Sequence, residues 1–204
     1  MLHSLILIVI AGALWGTSGI FVHYLAPLGF SSLQMSAVRS TVSLICIAVF
    51  ALIKDRSLFK IKPKSLILFA GIGVSIYATA SCYFMSMQMT SVSTAVILMY
   101  TAPVFVTVFS AIFFKEKFTT VKLISLVGML VGCMLVAGII GNVKFDLVGI
   151  LVGFASGISY AIYNILTKIA MIKNNNPVTT SIYSYAFMTV TALIITNPVY
   201  RGYG

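Results

Sequence analysis

Arg39 is a basic residue inside an apolar run, and Ser36, Ser40 and Ser43 recur around it at three- and four-residue intervals. On a helix that spacing places hydroxyls beside the guanidinium, a combination suited to gripping a carboxylate through two parallel hydrogen bonds. An unpaired charge at a helix centre costs about 2.5–3.5 kcal/mol on insertion scales, so Arg39 needs a reason to be there. It lies roughly 9 Å from the start of its run, and the structural alternative is a side chain that snorkels to the headgroups. A second group is aromatic: Trp15, Tyr160 with Tyr163 and Asn164, and more weakly Tyr77, Ser81 and Tyr100. Such residues wall a pocket for a small polar ligand, although aromatics in apolar helices also serve simply as packing. Pro103 is expected to kink its helix and free a backbone carbonyl.

The acids exclude as much as the base suggests. Asp55, Glu116 and Asp146 are the only three, and all map between apolar runs, which removes a proton relay through a buried carboxylate and favours facilitated diffusion or exchange. Glu116, flanked by Lys115 and Lys117, is expected to form a local ion pair or to support a helix terminus. Cys46, Cys82 and Cys133 are odd in number, form no CxxC and lie in apolar runs, so neither a disulfide framework nor a metal site is expected. No acid or histidine cluster suits an intramembrane enzyme, no glycine-rich phosphate loop suits a nucleotide-driven pump, and no cofactor is implied.

The elements that must position these residues follow from composition. With 60% hydrophobic and 8% charged residues in 204, the chain lies far outside the soluble range. Seven stretches are long enough to cross a bilayer: 4–26, 33–53, 65–88, 91–114, 119–140, 147–170 and 178–198. They lack polar alternation, so helices rather than strands are expected to span. Of 13 basic residues, those from Lys54 to Lys64, Lys115 to Lys122 and Lys168 to Lys173 form three tracts separated by two crossings each. That alternation predicts a multi-pass protein of the cell membrane with its N-terminus and basic loops in the cytoplasm. It also accounts for the net charge of +10, leaving the lipid bilayer rather than nucleic acid as the neighbour. His23 is read as interfacial.

An offset of 145 residues lays Gly12 on Gly157, Trp15 on Tyr160, Gly16 on Ala161 and Ser36 on Ser181. Five spans separate the copies, so the second would enter the membrane inverted, the plan of secondary transporters. Gly12 and Gly16, Gly128 and Gly132, and Gly149, Gly153 and Gly157 are each four apart, and all three faces are expected to point into protein.

Met87-Gln88-Met89-Thr90-Ser91-Val92-Ser93, Thr101-Ala102-Pro103-Val104-Phe105 and Phe114-Lys115-Glu116-Lys117 resemble the third-to-fourth helix segment of EamA-type proteins of the drug/metabolite transporter superfamily. Leu14-Trp15-Gly16, Arg39 and the glycine-rich run from Leu126 to Gly132 fit the same pattern. The seven apolar stretches make the expected fold an all-α integral membrane protein with seven transmembrane helices, and the resemblance divides them into repeats. Residues 3–140 would form one five-helix repeat, and 147–198 the first two helices of an inverted, incomplete second. It further implies an exporter or importer of small metabolites, amino acids among them, working by alternating access. Family members have ten helices, so a chain that stops after seven is expected to be inactive alone unless a second copy or the missing C-terminal helices supply the other wall. A seven-helix receptor or a non-transporting membrane scaffold are the alternatives. A receptor would place the N-terminus outside, against the charge pattern, and the seventh span has no lysine for a retinal Schiff base.

Overall fold

The computed structural model describes residues 31–117, 119–136 and 146–196, together with 5, 6, 9, 10, 12, 17, 20 and 24–29. Numbering helices from Ser32, they are α1 (Ser32–Lys54), α2 (Leu66–Met89), α3 (Val92–Met99), α4 (Ala102–Phe114), α5 (Thr120–Val136), α6 (Leu147–Ile172) and α7 (Pro177–Thr196). Among the described residues there is no strand, and five segments are long and apolar enough to cross a membrane: α1, Pro63–Met89, Val92–Phe114, α6 and α7. Of the other two predicted stretches, 4–26 is described only in part, and 119–140 is helical over Thr120–Val136 with its remainder outside the described residues.

Local chemistry sets the helix starts. Ser31 and Gln34 form a reciprocal capping box at α1, with Ser31 N–H donating to Gln34 Oε1 at 2.9 Å. Ser91 Oγ caps α3 by accepting from Thr94 N–H at 3.1 Å, and Asp146 caps α6 by accepting from Gly149 N–H at 2.8 Å. At Lys115 the backbone turns left-handed, with φ 54°, and ends α4.

The fourth predicted span differs from expectation in an informative way. Pro103 does not kink a continuous helix; the span breaks at Tyr100–Thr101, and Pro103 sits in the first turn of α4. A proline there loses no internal hydrogen bond, because its missing N–H is one of those that a helix start leaves unused. Thr101 bridges the break, its Oγ1 donating to Leu98 O at 2.6 Å.

α2 is the centre of the bundle, packing along α6 and α7. Phe69, Ile72, Ile76, Ala80, Tyr83, Phe84 and Met87 are buried on it, while Val38, Val42, Ile45 and Val49 form an exposed apolar stripe along α1. Lipid tails are as apolar as a valine, so close backbone approach and interhelical hydrogen bonds hold such a bundle more than water exclusion does. Both are present where α2 meets α6: Ser86 Oγ donates to Gly149 O at 2.9 Å, and a Cβ added to Gly153 would lie 2.5 Å from Leu98 Cδ1 and 2.8 Å from Ser86 Oγ. Of the small-residue faces expected to point into protein, this one does. For the face of Gly128 and Gly132 no such contact is seen among the described residues, where nothing lies within 4 Å of a Cβ built on either. Gly12 is equally open, and Gly16 lies outside the described residues.

At the opposite end of the bundle the three basic tracts meet. Thr179 Oγ1 donates to Leu58 O at 2.7 Å, Tyr183 Oη to Phe59 O at 2.8 Å, and Ser65 Oγ to Asn175 Oδ1 at 2.8 Å. Glu116 joins Lys122 of α5 to Lys168 of α6.

Candidate substrate site

Arg39 projects from α1 into a file of tyrosines contributed by other helices. It is half-buried, and Tyr185 of α7 and Tyr83 of α2 lie within electrostatic range of its guanidinium. Tyr83 in turn lies near Tyr100 at the helix break, and Tyr185 near Tyr163, which stacks on Tyr160 with ring centroids 5.7 Å apart. Three predicted residues, Arg39, Tyr100 and Tyr160, are thus linked through Tyr83, Tyr163 and Tyr185. Tyr100 is 39% exposed, so one end of the file is open.

Other candidates are placed differently. Ser36 and Ser40 are fully buried, but their hydroxyls donate to the carbonyls of Ser32 at 3.0 Å and Ala37 at 2.8 Å. On a helix a serine's own preceding turn is always within reach, so the expected hydroxyl stripe is spent on the backbone. Tyr77 is only 3% exposed and packs with Ile76, Ala80, Met188 and Ala192. Its hydroxyl lies close enough to Ser81 to sense it, yet neither oxygen makes a hydrogen bond of good geometry among the described residues. Trp15 lies outside the described residues.

Pro103 and Asn164 come together elsewhere, on a cavity of about 620 Å³ between α4, α5 and α6. Its walls carry Thr107, Ser110 and Ser125 with the apolar Val106, Leu126 and Met129, and Lys122, Lys168 and Glu116 also line it. Asn164 Nδ2 donates to Tyr160 O at 2.7 Å, and Thr107 Oγ1 to Pro103 O at 2.7 Å. Glu116 does not pair with Lys115 or Lys117, as its sequence neighbours had implied. Its carboxylate accepts from Lys122 Nζ at 3.0 Å and from Lys168 Nζ, which also sits 4.4 Å from the centroid of the Phe114 ring. The left-handed turn at Lys115 re-aims the chain, and hydrogen bonds from the two lysines hold the Glu116 carboxyl below its ordinary pKa of 4.5. A smaller cavity of about 120 Å³ lies between α2, α6 and α7, against Tyr163, Thr167, Ser184 and Tyr185.

Sequence reasoning passed over Tyr83 and Tyr185, and a signal for them existed only in part. α2 is apolar nearly all round, so no face singles out Tyr83, while Tyr185 sits four residues after Ser181 on the helix already matched to α1 by the 145-residue offset. Among the described residues no three His, Cys, Asp or Glu side chains gather to hold a metal ion.

The amino-acid sequence is similar to those of known proteins. Residues 2–138 match the EamA-like transporter family. The chain belongs to that family. It is also 30% identical over 168 residues to a protein of Archaeoglobus fulgidus named only as an uncharacterized transporter, covering 82% of this chain and 57% of that protein. The chain therefore spans little more than half the length of the curated relative it matches. No solved structure matches it. Among its described residues this member of the family has five segments long and apolar enough to span a membrane.

Proposed function

We propose that this chain carries a small polar or amphipathic metabolite, in the class of amino acids and related solutes, across the cell membrane by alternating access between inverted halves. The observation that carries this reading is Arg39 of α1 within electrostatic range of Tyr83 of α2 and Tyr185 of α7, a cation beside aromatic residues from two other helices. A guanidinium so placed recognises a carboxylate in two-pronged fashion, and the tyrosines supply apolar faces with polar tips. The packing of α1 along α7 supports the repeat, because these are the helices that the 145-residue offset equates. Ser36 and Ser181 even use their hydroxyls alike, each donating at 3.0 Å to the carbonyl one turn earlier. In this reading the basic end faces the cytoplasm.

The test is uptake of a panel of amino acids and related metabolites by liposomes containing the purified protein. With both inverted halves present in the liposomes, saturable uptake is expected for at least one solute, and Arg39→Lys should raise its half-saturation concentration about tenfold, since lysine keeps the charge but loses the planar fork. Uptake unchanged in that variant would assign Arg39 to anchoring the helix. A panel that shows neither binding nor saturable uptake would overturn the transport reading.

A further inference from the structure

The triad of Glu116, Lys122 and Lys168 is more than a tie between helices, because it lines the cavity between α4, α5 and α6 at the basic end. Its two cations are mounted on helices, while its anion stands in the short segment between α4 and α5. The triad carries one uncompensated positive charge. All three side chains are partly exposed, at 37% to 45%, so the pairs are weak enough to exchange. Lys168 has a second support in the Phe114 ring, which would keep its ammonium aimed when the carboxylate leaves. Further in, Thr107, Ser110 and Asn164 add polar groups, and Val106, Leu126 and Met129 form an apolar wall.

We infer that this cavity binds the anionic end of a small amphipathic ligand, and that Glu116 is a resident surrogate for it, holding Lys122 and Lys168 until the ligand's anion takes its place. The ligand class is a monoanion with a short apolar body. A monoanion replaces the Glu116 carboxylate charge for charge, and that shape fills a cavity polar at one end and apolar along one wall. Regarding this ligand as cargo rests on the transport reading; its binding does not. The same anionic chemistry is offered by a soluble carboxylate and by an anionic lipid headgroup.

The probe is hexanoate, titrated calorimetrically into the full chain in phosphatidylcholine nanodiscs, with hexanol as the uncharged control. Glu116→Gln should bind hexanoate about fivefold more tightly than the unaltered protein, because no resident carboxylate has to be displaced, and Lys168→Gln about fivefold more weakly. Hexanol should not distinguish the three. Equal hexanoate affinity for the Glu116→Gln and unaltered proteins, or hexanol following the same order, would overturn the inference and leave the triad as a tie. If Glu116→Gln does not purify as a single species, Lys122→Gln replaces it. Weaker binding in that variant supports the inference, and unchanged binding overturns it. Nanodiscs containing phosphatidylglycerol separate the two sources: undiminished hexanoate binding identifies a soluble ligand, whereas binding lost to the lipid assigns the same anion site to a headgroup. Glu116-dependent binding without saturable uptake would leave this site standing and remove the transport reading. Saturable uptake with Glu116-independent binding would do the reverse.

Discussion

Two helices of this protein carry glycines four residues apart, and they use them oppositely. On α6, Gly149, Gly153 and Gly157 receive Thr90, Ser86, Leu98 and Thr101, whose atoms would stand 2.5–3.0 Å from an added Cβ. On α5, Gly128 and Gly132 have nothing within 4 Å among the described residues. The same spacing therefore permits contact without requiring it. What decides is the opposing helix: α2 presents small hydroxyls and the helix break presents backbone, whereas among the described residues no helix approaches Gly128 and Gly132.

The largest effect should fall where a glycine faces backbone. A Cβ on Gly73 would lie 2.5 Å from Ser184 O and 2.9 Å from Met188 N, neither of which can swing aside. Gly73→Ala is expected to destabilise by about 3 kcal/mol and Gly153→Ala, which meets side chains, by about 1–2 kcal/mol. Gly132→Ala should be neutral or stabilise by up to about 1 kcal/mol through helix propensity. Thermal unfolding in detergent ranks the three, and a Gly132→Ala as damaging as Gly153→Ala would erase the contrast.

A smaller effect tests the hydrogen bond within the packed region. Ser86→Ala removes the side-chain donor that reaches Gly149 O from another helix and should cost about 1 kcal/mol, measured in the same unfolding assay. A matching change at Ser125, on the open side, should leave the midpoint where it was.

The smallest effect belongs to the ion triad and depends on pH. Because the folded-state pKa of Glu116 is depressed, the unfolded chain binds more protons near the ordinary value of 4.5. The contribution of Glu116 is thus fully present above that value and is lost as pH falls through the lower, folded-state pKa. Unfolding midpoints measured across that range should fall more steeply with acid in the unaltered protein than in Glu116→Gln. Parallel curves would show that the triad adds nothing to stability.

Composition alone made five spans legible, since runs of twenty apolar residues have few other fates. The helix break was half legible: Pro103 marked the place, but whether a proline kinks a helix or begins a new one depends on Thr101 and on the packing behind it. Ser36 and Ser40 misled because a helical period shows which residues share a face and not where their hydrogen bonds go. Glu116 misled because flanking lysines are close in sequence yet point elsewhere once the backbone turns at Lys115, and its partner Lys168 is 52 residues away. Tyr83 and Tyr185 were hidden for the same reason: their association with Arg39 is a property of three helices together.

The break between α3 and α4 carries a consequence for how the protein is made. α3 has eight residues, about 12 Å of helix, too short to cross a bilayer without α4. Its exposed turn is covered by Gly157, whose missing side chain lets α6 lie against Leu98 O, Thr101 Oγ1 and Ala102 N at 3.0–3.5 Å from where a Cβ would be. Since α6 begins 33 residues after α4 ends, translation delivers the break before the helix that covers it. Assembly of this contact therefore follows the order of synthesis, with α6 as the late piece that covers the break.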